Sequence, residues 1–141
     1  MQPEFTTEEE LQTHFANVRA AANPHASEDA LLLAVEDASS VVCATALWNL
    51  HRLKKPFWLA IPQATGRALK GDRNDWYLRC VIAELHESVC TLTLLAQKEE
   101  WSVELALLNR QSGCPKEVLK ILAKSSHKDI AERANKKLSI G

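Results

Sequence analysis

The sequence predicts an all-α fold, and three observations carry the prediction. Apolar residues recur at intervals of three and four along most of the chain, the period of a helix with one buried face. Glycine is scarce, with 4 in 141 residues. Alternating apolar and polar runs joined by Asn-Gly or Asp-Gly, the signature of hairpin strands, are absent. A chain of this length, 46% hydrophobic and 25% charged, can bury one core without metals or disulfides. Its longest apolar runs fall far short of the ~20 residues that a membrane-spanning helix needs.

The elements follow in order. Thr6 or Thr7 can cap a first helix, with a glutamate three residues later to complete the box. Leu11, Phe15, Val18 and Ala22 then mark its expected buried face. Asn23-Pro24 interrupts the chain, because proline disfavours helix in the residue before it. A second helix is expected from Ser27 through Val35. A third starts at the Ser39-Ser40 cap, carries Val41, Ala44, Leu47, Trp48 and His51, and ends at Lys54-Lys55-Pro56. The stretch from Phe57 to Ala68 contains Pro62 and Gly66 and reads either as one kinked helix or as two short ones.

From Asp72 the punctuation is clearer. Asp72 caps a helix with Asp75 in its first turn, and Tyr77, Val81, Ile82 and Leu85 form its apolar stripe. Ser88 caps the next, which holds Leu92, Leu95 and Ala96. Another runs from Trp101 to Asn109 and is closed off by Gly113. Pro115 opens a helix with Val118, Leu119 and Leu122, and Ser126 with Asp129 opens the last, with Ile130, Ala134 and Leu138. About nine short helices result, with a capping helix at 7–22 and four units near 23–53, 57–87, 88–111 and 114–138, all in a single domain 1–141.

These units align with one another. Leu33-Ala34, Leu69-Lys70, Leu95-Ala96 and Leu122-Ala123 fall in equivalent positions, each leucine being followed eight residues later by Val41, Tyr77, Val103 or Ile130. Thr45, Val81, Leu107 and Ala134 come four residues after those. The four leucines are therefore expected in one continuous core. A unit this short cannot bury its own apolar face, so neighbouring units must stack.

The stretches from Asn23-Pro24-His25-Ala26-Ser27 through Val41, and from Cys114-Pro115-Lys116-Glu117-Val118 through Ile130, resemble units of the leucine-rich repeat variant family, within the wider HEAT-like superhelices. The resemblance covers about two-thirds of the chain. It implies a short right-handed α-solenoid of stacked helical hairpins whose curved surface binds a partner and whose repeat has no chemistry of its own. The chain departs from the family pattern at Val41-Val42, Val103-Glu104 and Ile130-Ala131, where the family usually has arginine after the valine.

Charge and cysteine usage restrict function further. Residues 1–50 hold eight acids against Arg19 alone, whereas residues 101–141 hold eight bases against four acids. The net charge of -1 is not that of a general nucleic-acid binder. The Met1-Gln2-Pro3-Glu4-Phe5 start is acidic where an export signal is basic and then apolar, which gives a cytoplasmic expectation. Cys43, Cys80, Cys90 and Cys114 lie far apart and read as buried, reduced thiols.

His86 and Cys90 are four apart, but Ser88 breaks the helix between them and no second pair completes a metal or thiol site. Acidic pairs such as Glu28-Asp29 and Glu99-Glu100 sit beside caps, where they favour the positive helix end. No phosphate-cradling loop or nucleophile elbow occurs. The expectation is a non-enzymatic chain with no catalytic residue, metal or cofactor.

Trp48, Trp58, Trp76 and Trp101 are many for this length. Core packing explains most tryptophans, but Trp76 and Trp101 begin second helices, and Arg73 and Arg79 flank Trp76 at helical spacing. Arg73, Trp76, Arg79 and Trp101 are therefore the candidate partner-binding residues. The function expected is a cytoplasmic protein-binding module, an inhibitor, immunity-type or adaptor protein from a bacterium. The alternative is a nucleic-acid-binding module related to the HEAT-like DNA-repair superhelices, suggested by the basic band Arg52, Lys54, Lys55, Arg67, Lys70 and Arg73.

Overall fold

A computed structural model describes residues 7–140. The alternative cap Thr6 and the Met1 to Phe5 stretch lie outside the described residues. Among those described there are nine α-helices and no strand: α1 (Glu8–Ala22), α2 (Glu28–Ala34), α3 (Ser40–Arg52), α4 (Ile61–Lys70), α5 (Trp76–Leu85), α6 (Val89–Ala96), α7 (Trp101–Leu108), α8 (Lys116–Leu122) and α9 (Lys128–Ile140). A 3-10 turn, Arg73–Asp75, leads into α5. No helix is long and apolar enough to cross a membrane. The chain forms two compact units, Met1–Leu78 and Arg79–Gly141.

In the first unit α3 packs against α1 and α2. Side-chain caps start α1, α2 and α3: Thr7 Oγ1 accepts the Glu10 N–H, Ser27 Oγ that of Ala30, and Ser39 Oγ that of Val42. Buried Asn49 donates from Nδ2 to the Ala21 and Asn23 carbonyls at 2.9 and 2.8 Å, so α3 satisfies carbonyls left open where α1 ends. The face expected to bury α1 is largely open. Phe15 is 46% exposed and only Ala21 is buried, because Asn49 pins α1 at its last turn and the seven-residue α2 is too short to cover the rest.

The Phe57 to Ala68 stretch is neither a kinked helix nor two helices. Phe57 to Ala60 is a turn, and one helix begins at Ile61 with Pro62 in its first turn, where the missing N–H costs no hydrogen bond. Arg67 reaches from α4 to donate to the Asp37 and Ala38 carbonyls beyond α2.

In the second unit α6 packs on α7, α8 on α9, α6 on α8 and α7 on α9. Leu92, Leu95, Val103 and Leu107 are buried, and so are Leu119, Leu122, Ile130 and Ala134, each 27 residues further on. Arg110 clamps the chain from within: Nη1 donates to the Ala83 and His86 carbonyls at 2.5 and 2.7 Å and Nε to Gly113 at 2.9 Å. Ser125, rather than Ser126, accepts a backbone N–H at the start of α9, from His127.

The four aligned leucines do not share one environment. Leu95 and Leu122 are fully buried, but Leu33 is 70% exposed and Leu69 is half-buried. In the first hairpin Leu31, Val35, Val42, Ala46 and Leu47 are among the buried residues, with Cys43, Ala44 and Leu50. The first five of these match Leu92, Ala96, Val103, Leu107 and Leu108 when the alignment is moved one residue later. One residue is about 100° around a helix, enough to turn Leu33 from core to solvent. Likewise Ala68 and Leu78 are buried where Leu69 and Tyr77 had been aligned.

Candidate functional site

Several ionisable and hydroxyl side chains are held by hydrogen bonds within each unit. Glu104, 2% exposed on α7, accepts through the same Oε1 from Ser125 Oγ at 2.9 Å and meets His127 Nδ1 at 2.7 Å. Ser125 Oγ also lies 3.4 Å from His127 Nδ1, so the three side chains form one small cluster in which the carboxylate accepts from the serine hydroxyl. The trio fastens the turn before α9 to α7. His86 Nδ1 accepts the Ser88 N–H at 3.0 Å, and α5 ends before Ser88 while α6 begins after it. Among the described residues no three of His, Cys, Asp and Glu cluster as a metal set.

The thiols differ from one another. Cys43 is buried, Cys80 and Cys114 are half-buried, and Cys90 is exposed, which corrects the expectation of four buried thiols. Cys90 lies in the first turn of α6, on the side away from Leu92 and Leu95. Burial pushes the Cys43, Cys80 and Cys114 thiols up to about 11.

The four residues expected to bind a partner separate into two kinds. Arg73 is exposed in the 3-10 turn of the first unit, beside Trp76, which is 48% exposed and meets Tyr77 edge-on. Trp101, in the second unit, is 46% exposed and donates its indole N–H to Asp129 at 2.9 Å. That hydrogen bond holds the Asp129 carboxyl below its ordinary range. Arg79 does not belong to an exposed patch. It is 2% exposed and pairs with Glu100 through two bonds, Nε–Oε1 at 2.5 Å and Nη2–Oε2 at 2.7 Å. Glu100 directly precedes Trp101 at the start of α7, so the ion pair tethers the residue next to Trp101.

A surface cluster of aromatic and basic residues lies at the end of α3. Trp48 and His51 are one turn apart, with ring centroids 5.3 Å from each other. His51 meets Phe57 edge-on at 6.0 Å, and Phe57 lies 4.5 Å from Trp58. Phe57 is buried and forms a floor, whereas Trp58 is 56% exposed. His51, Lys54, Lys55, Pro56, Phe57 and Trp58 line an open hollow of about 480 Å³ with no carboxylate in its wall.

Backbone geometry fixes this hollow. The Lys54 N–H bonds the His51 carbonyl and the Lys55 N–H bonds that of Leu50, the paired bonds of a Schellman C-cap. Lys54 occupies the left-handed position at φ 59°. The chain therefore reverses sharply and folds Phe57 and Trp58 back beside His51.

No family model, no curated protein and no solved structure matches this chain. The functional reading therefore rests on the geometry of the site. Sequence reasoning noted Trp48, Trp58 and the nearby basic residues but did not join them. The available signal was the Trp48–His51 spacing, one turn apart and off the Val42, Ala46, Leu50 stripe, followed at once by a lysine pair and two aromatics.

Proposed function

We propose that this chain is a non-enzymatic protein-binding module: a short right-handed α-solenoid of HEAT-like hairpins, similar to leucine-rich repeat variant units. The observation that carries the reading is that all four tryptophans stand 39–56% exposed. Tryptophan is the residue most enriched among interface anchors, and its burial by a partner recovers a large apolar area. The two hairpins of the second unit, packed first helix on first and second on second, support the repeat architecture, as does the equivalence of buried positions once the first hairpin is realigned.

The engagement of Glu104, Ser125 and His127 as a fastening, and of Arg79 and Glu100 as an ion pair, supports a scaffold without chemistry. The setting is a bacterial cytoplasm, with an inhibitor, immunity-type or adaptor role. A nucleic-acid-binding role is the second reading, favoured by the lysines beside Trp58.

The test is capture of the partner from the native host, identification, and measurement of Kd for the purified pair with Trp48, Trp58, Trp76 and Trp101 each changed to alanine. At least one substitution is expected to cost more than ~2 kcal/mol of binding while the variant keeps its Tm. If every variant keeps full affinity, the tryptophans are not anchors. A lowered Tm with unchanged affinity of the folded fraction would assign Trp76 or Trp101 to packing instead.

A further inference from the structure

We infer that the hollow at the end of α3 binds an acidic peptide segment carrying an aromatic or branched apolar residue, an assignment that rests on the protein-binding reading. Its floor and one wall are apolar: Phe57 is buried and Trp58 leans over it at an interplanar angle of 32°, leaving the indole open. Its rim is cationic, with Lys54 and Lys55 in the wall and Arg52, held by Asn49 Oδ1 at 2.8 Å, on the last turn of α3. An apolar side chain seats on the indole, and carboxylates on either side of it meet the lysines. Opposed charge speeds encounter and selects the partner, while the aromatic contact sets the dissociation rate.

The same unit favours a peptide over a nucleic acid. α3 packs against α1 and α2, which begin with Glu8, Glu9, Glu10 and with Glu28, Asp29. A strand with a phosphate at every residue needs a continuous basic track, and the cations at the hollow are a local cluster of Arg52, Lys54 and Lys55 in a chain whose first fifty residues carry eight acids against Arg19 alone. A peptide places its carboxylates only where the lysines are. The site is also preformed, since the C-cap turn sets the positions of Lys54, Lys55 and Phe57 before any ligand arrives, which lowers the ordering cost of binding.

The experiment is fluorescence anisotropy on the full chain with three labelled probes: a short peptide alternating glutamate with phenylalanine and leucine, the same peptide with lysine for glutamate, and a single-stranded oligothymidylate of equal charge to the first. Saturable binding of the acidic peptide alone is expected. Trp58→Ala should weaken it about thirty-fold or more, and Lys55→Gln and Lys54→Gly several-fold each. Lys54→Gly guards against misfolding as the explanation, because glycine suits the left-handed position and this variant should melt no lower than the parent.

The proposal is overturned if the acidic peptide does not bind, if its affinity is indifferent to Trp58→Ala and Lys54→Gly, or if the oligothymidylate binds more tightly through the same residues. If the peptide fails while a captured native partner still depends on Trp76 or Trp101, the site assignment falls and the protein-binding reading stands. If the peptide fails and the partner depends on none of the four tryptophans, both fall.

Discussion

Arg79 illustrates how one side chain changes its role between a sequence and a folded chain. Its spacing from Trp76 suggested an exposed cation, yet the two parallel bonds to Glu100 take it out of solvent. A guanidinium matched to a carboxylate in this way resists replacement, because the ammonium of lysine cannot form the fork. Arg79→Ala is expected to lower stability by about 2–4 kcal/mol in urea unfolding, less than a fully enclosed pair because the Glu100 side chain is 25% exposed. Arg79→Lys should recover only part of that loss. The thiols give a second test at this scale. With Cys43, Cys80 and Cys114 raised from 9.0 to about 11 in the folded chain, the folded state holds their protons more tightly than the unfolded state does. Their contribution is complete below pH 9 and is lost as the pH rises toward about 11. Urea midpoints should fall across that window, and Cys43→Ala should flatten the fall. At neutral pH a thiol reagent should modify exposed Cys90 ahead of the other three.

Helices were legible because their signals are local: Ser27, Ser39 and Thr7 cap where the sequence placed them, and Ala34, Arg52 and Leu108 lie within a residue or two of the predicted ends. Which face a helix buries is set by its neighbours, and there the sequence was ambiguous. Leu31, Leu32 and Leu33 are adjacent and equally apolar, so periodicity alone cannot choose the inward one; packing against α3 selects Leu31. The candidate site was half legible for the same reason. Trp76 and Trp101 were picked out from their places at helix starts and are exposed, whereas the α3 cluster depends on a reversal at Lys54 that no glycine announced. The register shift predicts a contrast. Leu95→Ala and Leu122→Ala should each cost ~2–5 kcal/mol through lost transfer energy and a cavity, while Leu33→Ala, already in solvent, should stay within about 0.5 kcal/mol of the parent. Comparable losses at all three would restore the original alignment. At the C-cap itself, Lys54→Gly should raise stability by about 1 kcal/mol, since a residue with a Cβ pays a steric penalty in the left-handed region.

Across the whole molecule, charge separates the two functional readings. The basic band that suggested nucleic acid contains six residues, but Arg67 directs its guanidinium to the Asp37 and Ala38 carbonyls and is not available to a phosphate. Arg52, Lys54, Lys55, Lys70 and Arg73 remain, in a chain whose first fifty residues carry eight acids against a single arginine. Each phosphate contacted on duplex DNA contributes about -0.9 to the slope of log K against log salt. The five cations of this band therefore bound its own contribution to the slope near about -4 or -5, and repulsion from the acidic helices lowers the affinity further. A titration with random duplex DNA is expected to show no saturable binding at physiological salt, and at low salt only weak binding with a slope no steeper than about -5. The acidic peptide, held by two lysines and an indole, should lose far less between the same salt concentrations because its apolar contact is not screened. Tight duplex binding at physiological salt with a slope of about -6 or steeper would require more cations than this surface offers and would move the chain to the nucleic-acid reading.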